Sequence, residues 1–206
     1  MSLQSIVIPD SMREIELSQE ATQLMDRANE KIERFMLRDQ QVIENFVTCD
    51  FHLLGQSLLW IEQNHLLAGD RFCELGSGFG VAAMLAAMQD MEAVGIEIEA
   101  SLVEQSSELA DELGIGVDFF QGSFIPRDVN GLLDWGADIE HVDTGEGDVY
   151  EEIGLSMDEF DLFFAFPWPG EHEFFESVFD ACAADGALLL TYRGREGMNL
   201  VRKQAD

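Results

Sequence analysis

The chain has 206 residues, 47% of them hydrophobic, and its 41 acidic residues against 11 basic ones give a formal net charge of -30. Length and apolar content suit a folded domain with a real core and exclude intrinsic disorder as the main description. The charge repels phosphate backbones and anionic lipid, which argues against nucleic-acid and membrane partners.

Between Phe72 and Tyr192 the only Lys or Arg is Arg127. Attraction of a cationic substrate and solvation in a high-salt cytoplasm both account for such a surface, and composition leaves the two open. No run approaches about 18 uninterrupted apolar residues, and the opening "MSLQSIVIPD" lacks the basic-then-apolar layout of a secretion signal, so a cytoplasmic protein is expected. Cys49, Cys73 and Cys182 form no CxxC pair and have no His at metal spacing. They read as buried thiols, and no metal site is expected.

Taken in chain order, residues 11 to 46 mix charge with apolar residues at helical spacing (Ile15, Leu24, Ala28, Ile32, Phe35, Met36) and predict one long helix or two short ones. Their basic residues lie three or four positions from acids, the pattern of a solvated face. A second amphipathic helix spans roughly Phe51 to Asn64 and stops near Gly69. Residues 1–68 are therefore expected to be a helical N-terminal extension.

From Arg71 the texture becomes short apolar runs alternating with helices. "RFCEL" predicts a strand, "VAAMLAAMQD" a helix, "EAVGIEI" a strand, "SLVEQSSELADELG" a helix capped by Ser101, and "VDFFQGSF" a strand. Later come a strand in "FDLFFAFPWP", a helix in "EHEFFESVFDACAADG", a strand in "ALLLTYRG" and a final antiparallel edge strand in "MNLVRKQ". The alternation means βαβ units, a mainly parallel sheet and an α/β/α three-layer core over residues 70–206. Residues 128–161 interrupt it with twelve acids and no Lys or Arg, too long for an ordinary αβ connection. Helices are expected near "VNGLLDW" and "VYEEIG", and the whole reads as either a solvated insertion or a lid.

The chemistry starts at "ELGSGFG". Gly76, Gly78 and Gly80 let the chain turn tightly out of the first core strand and let a ligand approach the backbone. The spacing is GxGxG rather than the GxGxxG of dinucleotide sites, because position 81 is Val81. An acid directly upstream of a pyrophosphate would be repelled, so Glu74 points to a ligand with a positive group. About twenty positions on, "VGIEIE" ends the next strand at Glu97, where an acid can accept both hydroxyls of a ribose; Glu99 is the fallback.

These residues resemble motif I of class I S-adenosylmethionine-dependent methyltransferases, over roughly Asp70 to Arg193. The resemblance implies a Rossmann-like fold and S-adenosyl-L-methionine as cofactor. It places Glu74, Gly76, Ser77, Gly78 and Gly80 around the methionine and ribose portions, and Glu97 and Ile98 beside the ribose. After the third core strand, Gly122, Ser123 and Phe124 fall where the family commonly puts an acid for the adenine amino group. Ser123 departs from that pattern, although its hydroxyl can accept the same hydrogen bond, and Phe124 or Phe120 can pack on the base.

"FFAFPWPGE" is similar in position to motif IV, which faces the transferred methyl group. Nucleobase amine methyltransferases carry an Asn or Asp oxygen there, whereas this chain has Phe166, so base methylation loses its chemical handle. Phe166, Pro167, Trp168 and Glu171 are expected to bind the acceptor, with π-faces that attract a developing cation. Phe163 and Phe164 read as core. Glu171 reads first as a helix cap, and either it or His172 could take a proton, but no dedicated catalytic residue is required. Thr48 or Asp50 is expected to serve the cofactor carboxylate.

Methyl transfer to an unidentified acceptor, an amine of a protein or small molecule, is the expected activity. The alternatives are a non-catalytic S-adenosylmethionine-binding module and an acidic interaction protein for a basic partner. The family's last two strands form a hairpin. Here too few residues follow the fifth core strand, so the C-terminal hairpin is expected to be truncated to one strand, leaving an edge that a second subunit could cover; monomer and homodimer stay open.

Overall fold

The structure is a computed structural model that describes residues 3–38, 49–127 and 149–205. Its elements are β1 (Leu3–Ile6), α1 (Gln19–Arg38), α2 (Phe51–Gln63), β2 (Arg71–Leu75), α3 (Val81–Ala87), β3 (Glu92–Glu97), α4 (Ala100–Leu113), β4 (Asp118–Gln121), α5 (Val149–Ile153), β5 (Leu162–Ala165), α6 (His172–Cys182), β6 (Leu188–Tyr192) and β7 (Met198–Lys203). Short 3-10 turns at Asp10–Glu14, Met157–Glu159 and Gly194–Glu196 join them.

The strands form one seven-stranded sheet in the order β1-β7-β6-β5-β2-β3-β4. β2 to β6 run parallel, and β7 is antiparallel to both β6 and β1. Each central strand is buried on both faces, so its side chains alternate between two cores. Phe72, Phe164, Leu188, Leu190 and Leu200 face the core shared with α1 to α4. Cys73, Leu75, Phe163, Ala165, Leu189 and Val201 face the other, which holds Tyr150 of α5 and Phe174, Phe175, Val178 and Phe179 of α6. Phe163 and Phe164 are thus core residues on opposite faces.

α1 follows its sequence pattern: Leu24, Ala28 and Ile32 are buried at three- and four-residue spacing. Its basic face is more than solvated, since Lys31 Nζ lies 3.2 Å from Glu108 and 3.3 Å from Glu112 of α4, and Arg27 lies 3.3 Å from Glu112. Solvent screens pairs at the surface, so they add little stability. The cap of α4 is not Ser101 but the preceding Glu99, because the helix starts one residue early at Ala100. The expected helix at "VNGLLDW" and the body of the acidic insertion lie outside the described residues, whereas "VYEEIG" does form α5.

Two expectations for the edges change. Residues 1–68 are not purely helical, because β1 pairs with β7 in the register Leu3↔Lys203 to Ile6↔Leu200. Consequently the edge left by the truncated hairpin is not open to a second subunit: the chain covers it with its own N-terminal strand. Four residues, "LQSI", carry too little alternation to announce a strand. Among the described residues no helix is long and apolar enough to cross a membrane.

Topology positions the site. From β2 the chain builds outward through β3 and β4, then returns to lay β5 and β6 on the other side of β2. Where strand order reverses, the loops at the carboxyl ends of β2 and β5 separate and leave a crevice. "GSGFG" leaves one side of it and "FPWPG" the other.

Candidate functional site

The glycine turn after β2 is held by backbone bonds and by one side chain, since Gly78 N–H donates to Glu97 Oε2. The N–H groups of Gly76 and Ser77 donate to the Ile96 carbonyl at 2.9 and 2.8 Å, and that of Gly80 donates to the Ser77 carbonyl at 2.7 Å. Gly76 and Gly80 adopt φ of 75° and 69°, in the left-handed region that disfavours side chains. The two differ in surroundings. A Cβ on Gly76 would point into open space, while one on Gly80 would strike the Phe119 ring and Ser106. Gly80 therefore shapes the loop from below and lines none of the cavities described here, although its spacing suggested a ligand contact.

Two buried carboxylates flank this loop. Register sets Glu74 opposite Gly95, so Glu74 and Glu97, two residues further along β3, project from the same face of adjacent strands. Glu74 is 5% exposed and its Oε2 accepts from Ala83 N–H of α3 at 2.9 Å. Burial pushes its carboxyl up to about 8, against the lowering effect of the Ala83 and Ala82 N–H groups, and the neighbouring Glu97 pushes the same way. Glu97 is 8% exposed; its Oε2 accepts from Gly78 N–H at 2.7 Å and its Oε1 from Glu99 N–H at 3.1 Å. Burial raises this carboxyl too, while those N–H groups oppose the rise. The fallback acid, Glu99, is exposed at the start of α4.

Three cavities meet here. The smallest, about 70 Å³, brings Glu74 together with Gly76, Ser77 and Gly78, under Cys49, Phe51 and Phe166. Ser77 Oγ is buried with no hydrogen-bond partner. The next, about 160 Å³, collects Glu97, Ile98, Gly122, Ser123 and Phe124 with Gly76, Phe166, Trp168 and Glu171. There Ser123 Oγ accepts from Ile125 N–H at 3.3 Å, and Phe124 stacks on Phe175 with centroids 4.9 Å apart. Phe120, the other aromatic considered for a base, packs against the second core.

The largest cavity, about 630 Å³, runs from Gly76, Gly78 and Glu97 to a chamber walled by Phe166, Pro167, Trp168 and Tyr192. Phe166 and Tyr192 tilt against each other with centroids 5.0 Å apart. Glu171 is at the N-cap position of α6, but its carboxylate does not cap the helix. It accepts from Trp168 N–H at 3.2 Å and closes the Pro-Trp-Pro-Gly turn. Asp50 likewise spends its side chain on capping, accepting from Leu53 N–H at 2.9 Å, and Thr48 lies outside the described residues.

Of the chamber's far wall the sequence reading found only His172, as a candidate proton acceptor. Tyr192, Arg193 and Glu196 lie at the end of β6 and in the turn after it, and His172 opens α6. Arg193 is held by Glu176 at 2.6 Å. Burial, and then Arg193, lower the His172 imidazole from its ordinary value, while Glu176 and Glu196 pull the other way. The missed signal was general: in an open α/β sheet, residues just past a parallel strand face the crevice. Among the described residues no group of three or more His, Cys, Asp or Glu is placed to hold a metal ion.

Several solved structures share this architecture. An RNA methyltransferase from Salinibacter ruber, in complex with S-adenosyl-L-homocysteine, is similar with a TM-score of 0.51 and 18% identity over 78% of this chain and 95% of its own. A methyltransferase from Geobacter sulfurreducens gives 0.52 and 16% over 92% of both chains. The Podospora anserina methyltransferase PaMTH1, bound to S-adenosyl-L-homocysteine, gives 0.51 and 14% over 91% of this chain and 72% of its own. No family model matches the chain, and no curated protein is similar to it in sequence. The fold is that of class I methyltransferases.

Proposed function

We propose that this chain is an S-adenosylmethionine-dependent methyltransferase whose acceptor, an amine of a small molecule or protein, enters the aromatic chamber. The observation that carries the reading is the glycine turn lying between two buried carboxylates, with Ser77 Oγ buried and unbonded beside Glu74. A nucleoside carrying an amino-acid arm matches these groups. Glu74 and Ser77 would take the amino-acid end, Gly76 and Gly78 would let it lie on the backbone, and Glu97 would accept from the ribose. Glu97 already accepts from Gly78 and Glu99 N–H on its two oxygens, with Ile98 N–H a further donor, which leaves it a lone pair for a ribose hydroxyl. Ile98, Gly122, Ser123 and Phe124 would border the adenine.

The bound cofactor supplies an electrophilic methyl group. The chain's part is to orient the acceptor and keep water away, for which Phe166, Pro167, Trp168 and Tyr192 are suited. The acid-rich surface favours a cationic acceptor and disfavours nucleic acid. The Salinibacter ruber neighbour's action on RNA is therefore not carried over.

Calorimetry with S-adenosylmethionine and S-adenosylhomocysteine tests the reading. Glu97→Ala is expected to weaken binding by about 1.5–3 kcal/mol. Equal affinity of the two proteins would count against the site. A radiolabelled methyl screen over cell extract then asks whether anything is methylated; binding without turnover favours a cofactor-binding module.

A further inference from the structure

Charge is unbalanced inside the crevice. Glu74 and Glu97 are buried on one face of adjacent strands, and among the described residues neither takes part in an ion pair. Among the titratable groups, Glu97 of β3 acts on Glu74, and the thiols of Cys73, its neighbour in β2, and of Cys49, ahead of α2, lie close enough to feel its charge. None of them is a cation. The hydrogen bonds Glu74 accepts, from Ala83 and Ala82, are backbone ones and carry no full charge. Burying two carboxylates side by side without a counter-ion is costly enough that one of them holds a proton instead. Glu74 is the better placed, because Glu97 has N–H donors on both oxygens.

A second, independent feature marks the same small cavity as a binding place: Ser77 is 5% exposed, and its Oγ has no partner. A ligand with an ammonium group and acceptor oxygens would answer both features at once.

We propose that Glu74 is a neutral carboxyl in the free protein and gives up its proton when the ammonium group of S-adenosylmethionine or S-adenosylhomocysteine arrives, so that cofactor binding is coupled to proton release. The inference rests on the cofactor reading above. The proton leaves to solvent, and an ion pair between Glu74 and the ligand ammonium takes its place. Below neutrality the site therefore binds more weakly with every step of acidification, by up to about tenfold per pH unit.

The test is calorimetry of S-adenosylhomocysteine binding at pH 6.5 in two buffers of different ionisation enthalpy, which counts protons. At that pH the ligand's α-amino group is charged. Wild type is expected to release close to one proton, and Glu74→Gln close to none. 5′-Methylthioadenosine, which lacks the amino-acid arm, is expected to bind wild type without release. An infrared difference spectrum of the free proteins supplies a readout that needs no ligand. A protonated-carboxyl band present in wild type and missing from Glu74→Gln supports the inference. Tight binding with no proton released, or no such band, overturns it and leaves the cofactor reading standing. Absence of binding by folded wild type removes the cofactor reading, and this inference with it.

Discussion

The two sides of the crevice were built from different kinds of information. On the β2–β3 side, function is written in backbone and spacing: glycines at φ that side chains avoid, and an acid at the end of each strand. On the β5–β6 side it is written in side-chain surfaces, with Phe166, Trp168 and Tyr192 brought together from segments more than twenty residues apart. A ligand gripped through backbone leaves a local pattern in a sequence; one enclosed by side-chain faces leaves almost none.

The contrast can be broken at several points. Gly80 is the most severe, because a side chain there is strained at φ 69° and collides with Phe119. Gly80→Val is expected to cost about 2–5 kcal/mol of stability, visible as a lower denaturant midpoint, by adding backbone strain to overpacking. An unchanged midpoint would mean the turn adopts another shape.

Next in size is a pH effect confined to the β2 side. Glu74 holds its proton more tightly when folded, at about 8 against an ordinary value of 4.5. A raised folded value contributes stability that is complete below the unfolded value and is lost as pH rises through the folded one. The protein without cofactor is therefore expected to lose about 3–4 kcal/mol between pH 5 and 8, and Glu74→Gln to flatten that decline, as thermal unfolding across the range would report.

The acceptor side is expected to respond differently. Trp168→Ala should leave S-adenosylhomocysteine affinity within about threefold, yet reduce methyl labelling of extract by tenfold or more, about 1.4 kcal/mol of transition-state stabilisation. A large loss of cofactor affinity instead would merge the two sides into one pocket.

How much was legible follows the same division. Alternation of buried strands with helices predicted the three-layer core, because a parallel strand is covered on both faces and reads as a short apolar run. Glu74, Gly76, Gly78 and Glu97 were readable by position, and the structure brings them together at one crevice. Gly80 shows the limit: its spacing matched a ligand contact, but its close neighbour is Phe119, which only folding puts there. Glu171, read first as a helix cap, instead closes a turn, and Asp50, expected beside the cofactor carboxylate, instead caps a helix, since a nearby backbone N–H is the commonest partner of such side chains. The chamber's far wall, Tyr192 to Glu196, needed the strand order before it could be seen.

The strand at residues 3–6 has a bearing on assembly of the molecule over time. Its hydrogen bonds go to residues 200–203, so the first and last described segments are stitched to each other. Contacts so distant along the chain bear the greatest loop-closure entropy and form late. Until residues 198–203 have left the ribosome, β1 has no ladder to join and β6 shows a bare margin.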